Sequence, residues 1–291
     1  MFAATSPSEP AARDAAARGR LAQIRVTGGL DLGLLRDGAV TRLARRGERD
    51  GYKVRVPRRE DRLEVAMINT GGGIAAGDRI AVAVTAGQGA EATVTAPAAE
   101  RVYGAADAAT AHYDVTLTLG ASASLHWLPQ ETILYNRARL SRRFTADLDP
   151  GAEMMIAETV VFGRTASGEA AIAGAFRDDW RIRRAGRLVF ADSIRLDGRI
   201  SDTLRDPATG DGATALATLL LVAPDAEDRL AAVRRALAAP AARPGLTFGA
   251  SAWGGRLVVR ALARLSADLR PLLEAAIPPL SRTGLPRVWN C

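Results

Sequence analysis

The feature that most limits how this chain can fold is an alternation of period two that dominates from residue 21 to about residue 200. Tyr113, Val115, Leu117 and Leu119 alternate with Asp114, Thr116 and Thr118, and Ile80, Val82 and Val84 repeat the pattern. Side chains spaced by two fall on one face of a strand, so each stretch reads as a half-buried strand. Further short apolar runs hold Val94, Leu125, Trp127, Ile133 and Met155 to Phe162. Turn-forming breaks such as Gly87-Gln88-Gly89, Asp149-Pro150-Gly151 and Asp197-Gly198 separate them. Many short strands at this spacing mean a mainly antiparallel or layered β architecture.

Helix is expected only later. Pro224-Asp225 starts a segment with Glu227 and Asp228 in its first turn and Arg234 and Arg235 near its end, charges that complement a helix dipole. Leu230, Val233 and Leu237 form its apolar stripe, and Pro240 ends it. Leu257, Ala261, Leu265 and Leu269 predict a second helix from about Arg256 to Arg270, and Pro271 begins a short third piece. Residues 1–20 read as a disordered tail, and 21–291 as one domain. The tail has no secretory apolar core, which places the chain in the cytoplasm.

The 291 residues include one cysteine, Cys291, and two histidines, His112 and His126. An internal disulfide, a zinc finger and a His-rich metal cage are therefore excluded. The histidines lie on different predicted strands, His112 facing solvent and His126 in a wall beside Trp127. No window is apolar enough to span a membrane. The formal net charge is +7, and Lys53 is the only lysine among the 39 basic residues. The arginines are interleaved with acids and lack stacking aromatics, so the charge points to an acidic protein partner rather than to nucleic acid.

Asn69 to Arg79 is the most distinctive stretch. Gly72 and Gly77 have the spacing of a phosphate-binding loop, but Asp78 and Arg79 stand where Lys and Ser or Thr are needed. A carboxylate there repels phosphate, and the strand that follows excludes a dinucleotide fingerprint, which must open a helix. The plain reading of Gly72, Gly73 and Gly77 is a turn that shapes the loop. No nucleophile elbow or catalytic triad can be assembled. Asp78, Glu131, Glu158 and Glu169 follow strand or turn segments. Each alone reads as a surface charge or turn cap; turned inward together they would offer weak oxygen ligands to a divalent cation.

Four segments carry a resemblance. Gly72-Gly73-Ile74-Ala75-Ala76-Gly77-Asp78 resembles the Gly-Gly-Ile/Val-x-x-Gly-Asp loop of the urease accessory protein UreD (UreH) family. Trp127-Leu128-Pro129-Gln130-Glu131 is similar to that family's Trp-Leu-Pro-Gln-Glu run. Gly163-Arg164 through Gly168-Glu169 resembles its Gly-Arg-x-x-x-Gly-Glu element, and Pro286-Arg287-Val288-Trp289 its Pro-Arg-x-Trp ending. The resemblance implies strands wound into a layered β-helical stack with a few C-terminal helices. It implies no enzyme activity and no tightly bound cofactor. It implies a scaffold that, with the helical accessory protein UreF and the GTPase UreG, docks on apo-urease and passes nickel transiently through an internal passage. It is compatible with a dimer of that accessory complex. Asp78, Glu131, Glu158 and Glu169 are then passage candidates, while Trp127, Pro129, Gln130, Arg164, Arg287 and Trp289 belong to packing or a partner surface. The competing reading is a hydrolase of unknown substrate on a β scaffold, which would need a cleft with a perturbed acid–base pair.

Overall fold

In a computed structural model the described residues are 25–290, without 58–61, 105–107, 165–166, 170, 240–242 and 282–283. The expected tail and Pro240 lie outside them. A hairpin of β1 (Thr27–Asp37) and β2 (Val40–Arg49) precedes a short β3 (Tyr52–Arg55). The chain then coils through β4 (Leu63–Asn69), β5 (Arg79–Ala86), β6 (Glu91–Thr95) and β7 (Glu100–Val102). The next coil is β8 (Ala111–Leu119), β9 (Ser124–Leu128) and β10 (Thr132–Leu134), followed by β11 (Arg139–Leu148), β12 (Glu153–Phe162) and β13 (Gly174–Arg184). After β14 (Arg187–Gly198) come helix α1 (Ile200–Arg205), β15 (Ala215–Val222), α2 (Leu230–Ala236), β16 (Leu246–Trp253), β17 (Arg256–Ala263) and α3 (Leu269–Ala276).

Strands of the coil alternate between two sheets, except that β7 follows β6, and β10 follows β9, within the same sheet. One sheet has the order β14-β13-β11-β8-β5-β1-β2, the other β16-β17-β15-β12-β9-β6-β4-β3. Pairing inside the coil is parallel, through β1-β5-β8-β11-β13 and β4-β6-β9-β12, with β10 lying between β7 and β12. The strands outside it, β2, β3, β14, β15, β16 and β17, pair antiparallel. Of the two architectures left open by the alternation, the layered one is realised. Among the described residues no helix is long and apolar enough to cross a membrane.

The alternation explains the core. Residues of one phase point between the sheets, and parallel register stacks them into rows. Leu30, Val82, Val115, Phe144 and Trp180 form one such row and are all at most 2% exposed. Withdrawing a side chain of this size from water is worth about 1.5–3 kcal/mol. A second core, holding Met155, Leu219, Val259, Val233, Leu273 and Trp289, lies on the other face of the β12 sheet under the C-terminal segments.

Two helix expectations change. The helix expected from Pro224 is confined to Leu230–Ala236, with turns before it. The helix expected over 256–270 is β17 up to Ala263, then a short 3₁₀ turn at Ser266–Asp268 that leads into α3. A spacing of four is also a multiple of two, so Leu257 and Ala261 fit a strand equally well. Between them, Val258 and Val259 favour a strand, and both flanks of β17 are paired. Pro271 sits inside the first turn of α3, where its missing N–H costs nothing.

Candidate functional site

The row next to the apolar one is polar. Tyr113 of β8, Arg142 of β11 and Asp178 of β13 are register partners, and all three are buried. Arg142 takes the inward position between Leu140 and Phe144, and Asp178 that between Phe176 and Trp180. Glu158 of β12 enters the same space from the opposite sheet and is 5% exposed. The Arg142 guanidinium bridges the two acids. Nη1 donates to Glu158 Oε2 at 2.5 Å, Nη2 to Asp178 Oδ2 at 2.6 Å, and Nε to Asp178 Oδ1 at 2.9 Å. The indole N–H of Trp127 donates to the remaining oxygen, Glu158 Oε1, at 2.7 Å.

Beside this triad lies a cavity of about 170 Å³, lined among others by Tyr52, Asn69, Glu100, Tyr113, Gln130 and Glu158. At its far wall, Tyr52 OH donates to Glu100 Oε2 at 3.0 Å and Asn69 Nδ2 donates to Glu100 Oε1 at 2.8 Å. Burial pushes the Glu100 carboxyl up, against the pull of those two donors. Burial also pushes the Tyr52 and Tyr113 hydroxyls above the usual phenol range, with Glu100 the next cause in both. Asp78 adds to the effect at Tyr52, and Glu158 to that at Tyr113. Of these groups, Tyr52, Glu100, Tyr113 and Glu158 line the one cavity. Burial raises Glu158 as well, opposed by Arg142 and Trp127. Arg142 keeps its proton: burial pulls it down, but Asp178 and Glu158 more than reverse that.

The four acids singled out in the sequence are not brought together. Glu158 alone lines this cavity, whose mouth is formed by exposed Gly72, Pro97, Ala98 and Arg101. Asp78 is buried, and its two carboxylate oxygens accept the backbone N–H groups of Val26 and Ala75, each at 2.8 Å, which ties the glycine loop to the start of β1. Glu131 faces an outer groove of about 320 Å³ that is also lined by Gln130, Arg270 and Trp289. Glu169 pairs with Arg164 at 3.2 Å and accepts the N–H groups of Asn136 and Arg164. Partial burial works against its ionisation, but these donors hold its carboxyl below the usual range. Among the described residues no three or more His, Cys, Asp or Glu side chains group as a metal site.

Of the other singled-out residues, Gly72, Pro129 and Gln130 line the cavity. Gly72, Gly73 and Gly77 all have positive φ, and a Cβ on Gly73 would stand 2.5 Å from the Tyr103 ring. Pro129 and Gln130 line both the cavity and the outer groove, so the Trp127–Glu131 segment is the partition between them. Trp289 is buried against the outer side and donates to Leu128 O at 3.1 Å. The N–H of Arg287 donates to Glu64 Oε2 at 3.3 Å. Arg164 stacks on the Tyr135 ring at 4.2 Å. His112 is exposed, whereas His126 is buried on the wall beneath the C-terminal segments. Sequence reasoning missed Arg142, Asp178, Glu100, Tyr52, Asn69 and Tyr113. The signal for Arg142 and Asp178 was present: each is a charge in the inward phase of an otherwise apolar strand.

A family model described as UreD urease accessory protein matches residues 26–290. The chain is 47% identical over 261 residues to "Urease accessory protein UreD 1" of Methylobacterium radiotolerans, covering 90% of each chain. It is 43% identical over 285 residues to "Urease accessory protein UreD" of Xanthobacter autotrophicus, covering 98% of this chain and 96% of the relative. It is 42% identical over 268 residues to the protein of that name in Rhodopseudomonas palustris, covering 91% of each. This chain belongs to the UreD urease accessory protein family.

Proposed function

We propose that nickel on its way to urease passes through the interior of this chain, by way of the cavity between Glu100 and Glu158. As a family member the chain is a urease maturation factor and not a catalyst, which sets aside the hydrolase reading. We further assign it the partners UreF and UreG, docking on apo-urease in the cytoplasm, with residues 21–291 acting as one unit. The observation that carries the passage reading is the polar seam: buried or half-buried Tyr52, Asn69, Glu100 and Tyr113 line one cavity that reaches Glu158 of the Arg142 triad beside an otherwise apolar core. Oxygen donors of this kind hold nickel less tightly than imidazole or thiolate sets, which suits a carrier that must let go.

Co-expression of the full chain with UreF, UreG and apo-urease tests the assignment. A pull-down should recover the accessory complex, and urease from cells lacking this chain should be made but nickel-poor. Normally metallated urease in such cells would refute it.

A further inference from the structure

We infer that Arg142 is a resident counter-cation: it occupies the place a divalent ion would take between Glu158 and Asp178, and so keeps the interior from becoming a metal trap. The inference rests on the passage reading above. Its observation is saturation. The two carboxylates have four oxygens; Arg142 meets three of them, and Trp127 Nε1 meets the fourth. Glu158 also lines the cavity, so one of these acids stands at the edge of the space an ion would cross. Without the guanidinium, two acids on facing sheets would be left without a counter-charge, and a carboxylate pair in that state attracts a divalent ion far more strongly than either acid does beside Arg142. With it, an arriving ion competes for Glu158 against a partner that cannot diffuse away.

Arginine suits this task better than lysine. Its planar fork spans both acids at once and does not lose its charge. A purely structural ion triad is the rival account. Buried triads of this kind often add little stability, so stability alone does not separate the two.

The experiment titrates the purified full chain with nickel alone. Arg142→Gln should create one nickel site per chain, at least about tenfold tighter than any in the parent, a gain of about 1.4 kcal/mol. The double variant Arg142→Gln with Glu158→Gln should lose that gain. Asp178→Asn acts in the opposite direction. It leaves Arg142 with Glu158 as its sole charged partner, so nickel per urease should fall severalfold at an equal amount of recovered chain. If Arg142→Gln gains no site, the inference is overturned. Should that variant not be recovered as a folded chain, Asp178→Asn decides, and unchanged nickel loading overturns the inference. The passage reading fails separately, if Glu158→Gln leaves urease nickel untouched.

Discussion

His126 offers a quantitative prediction, because its surroundings punish a proton. The ring is buried beneath the C-terminal segments, with Ser281 Oγ 3.3 Å from Nδ1. Burial, and then the charges of Arg62 and Arg229, lower its pKa to about 4 from an ordinary 6.5. The folded chain therefore binds fewer protons here than the unfolded chain between those two values. The stability contributed by the neutral ring is complete above pH 6.5 and is lost as pH falls toward 4. On that shift the loss is about 2 kcal/mol by pH 5 and about 3 kcal/mol by pH 4. Buried or hydrogen-bonded carboxylates also titrate in this range, so the effect is read as a difference. Urea unfolding of the full chain and of His126→Gln, followed by tryptophan fluorescence at pH 7, 6, 5 and 4, isolates it. The variant is expected to pay a fixed cost at pH 7 and to close the gap with the parent by about 2 kcal/mol at pH 5. Parallel pH profiles would refute the argument that the ring is held neutral.

Three further outcomes are expected. Trp289→Ala removes a buried indole and its bond to Leu128 O, and should cost about 3–5 kcal/mol. It should also expose residues after Ile277 to limited proteolysis, and an unchanged digestion pattern would count against a docked C-terminus. Glu100 has a raised pKa, so it contributes stability below the unfolded carboxylate's value that is lost as pH rises through the folded one. Glu100→Gln should flatten that limb of the stability profile, and an unaltered slope between pH 4 and 7 would contradict it. Gly73 has φ +151° and the Tyr103 ring where its Cβ would be. Gly73→Ala should cost about 1–3 kcal/mol in denaturant unfolding, and a neutral effect would mean that the loop tolerates a side chain.

The legibility of the chain follows the range of the interactions involved. The alternation at Ile80 to Val84 and at Tyr113 to Leu119 is local, and both stretches are strands as read. The β17 segment was misread because leucine and alanine spaced by four satisfy both periods, and only pairing with β15 and β16 decides between them. Glu158 could be named from the sequence, but not its partners. Arg142 lies 16 residues away and Asp178 is 36 residues from Arg142, so the parallel register of β11 and β13, and the packing of β12 from the facing sheet, had to bring them together. Glu131 follows Trp127 by only four residues yet faces the outer groove, because the partition segment shows one side to each space. The paired motifs were visible as separate runs. Their contact, Trp289 against Leu128, belongs to the fold alone.

The most direct measurement is the nickel content of urease matured in the presence of the Glu158→Gln chain. Glutamine keeps the size of the side chain and leaves Arg142 paired with Asp178, so one carboxylate is removed while the guanidinium keeps a partner. The account predicts that this chain still assembles with its partners on apo-urease and that nickel per active centre falls severalfold. Full nickel loading with Glu158→Gln in place would contradict transport through the interior.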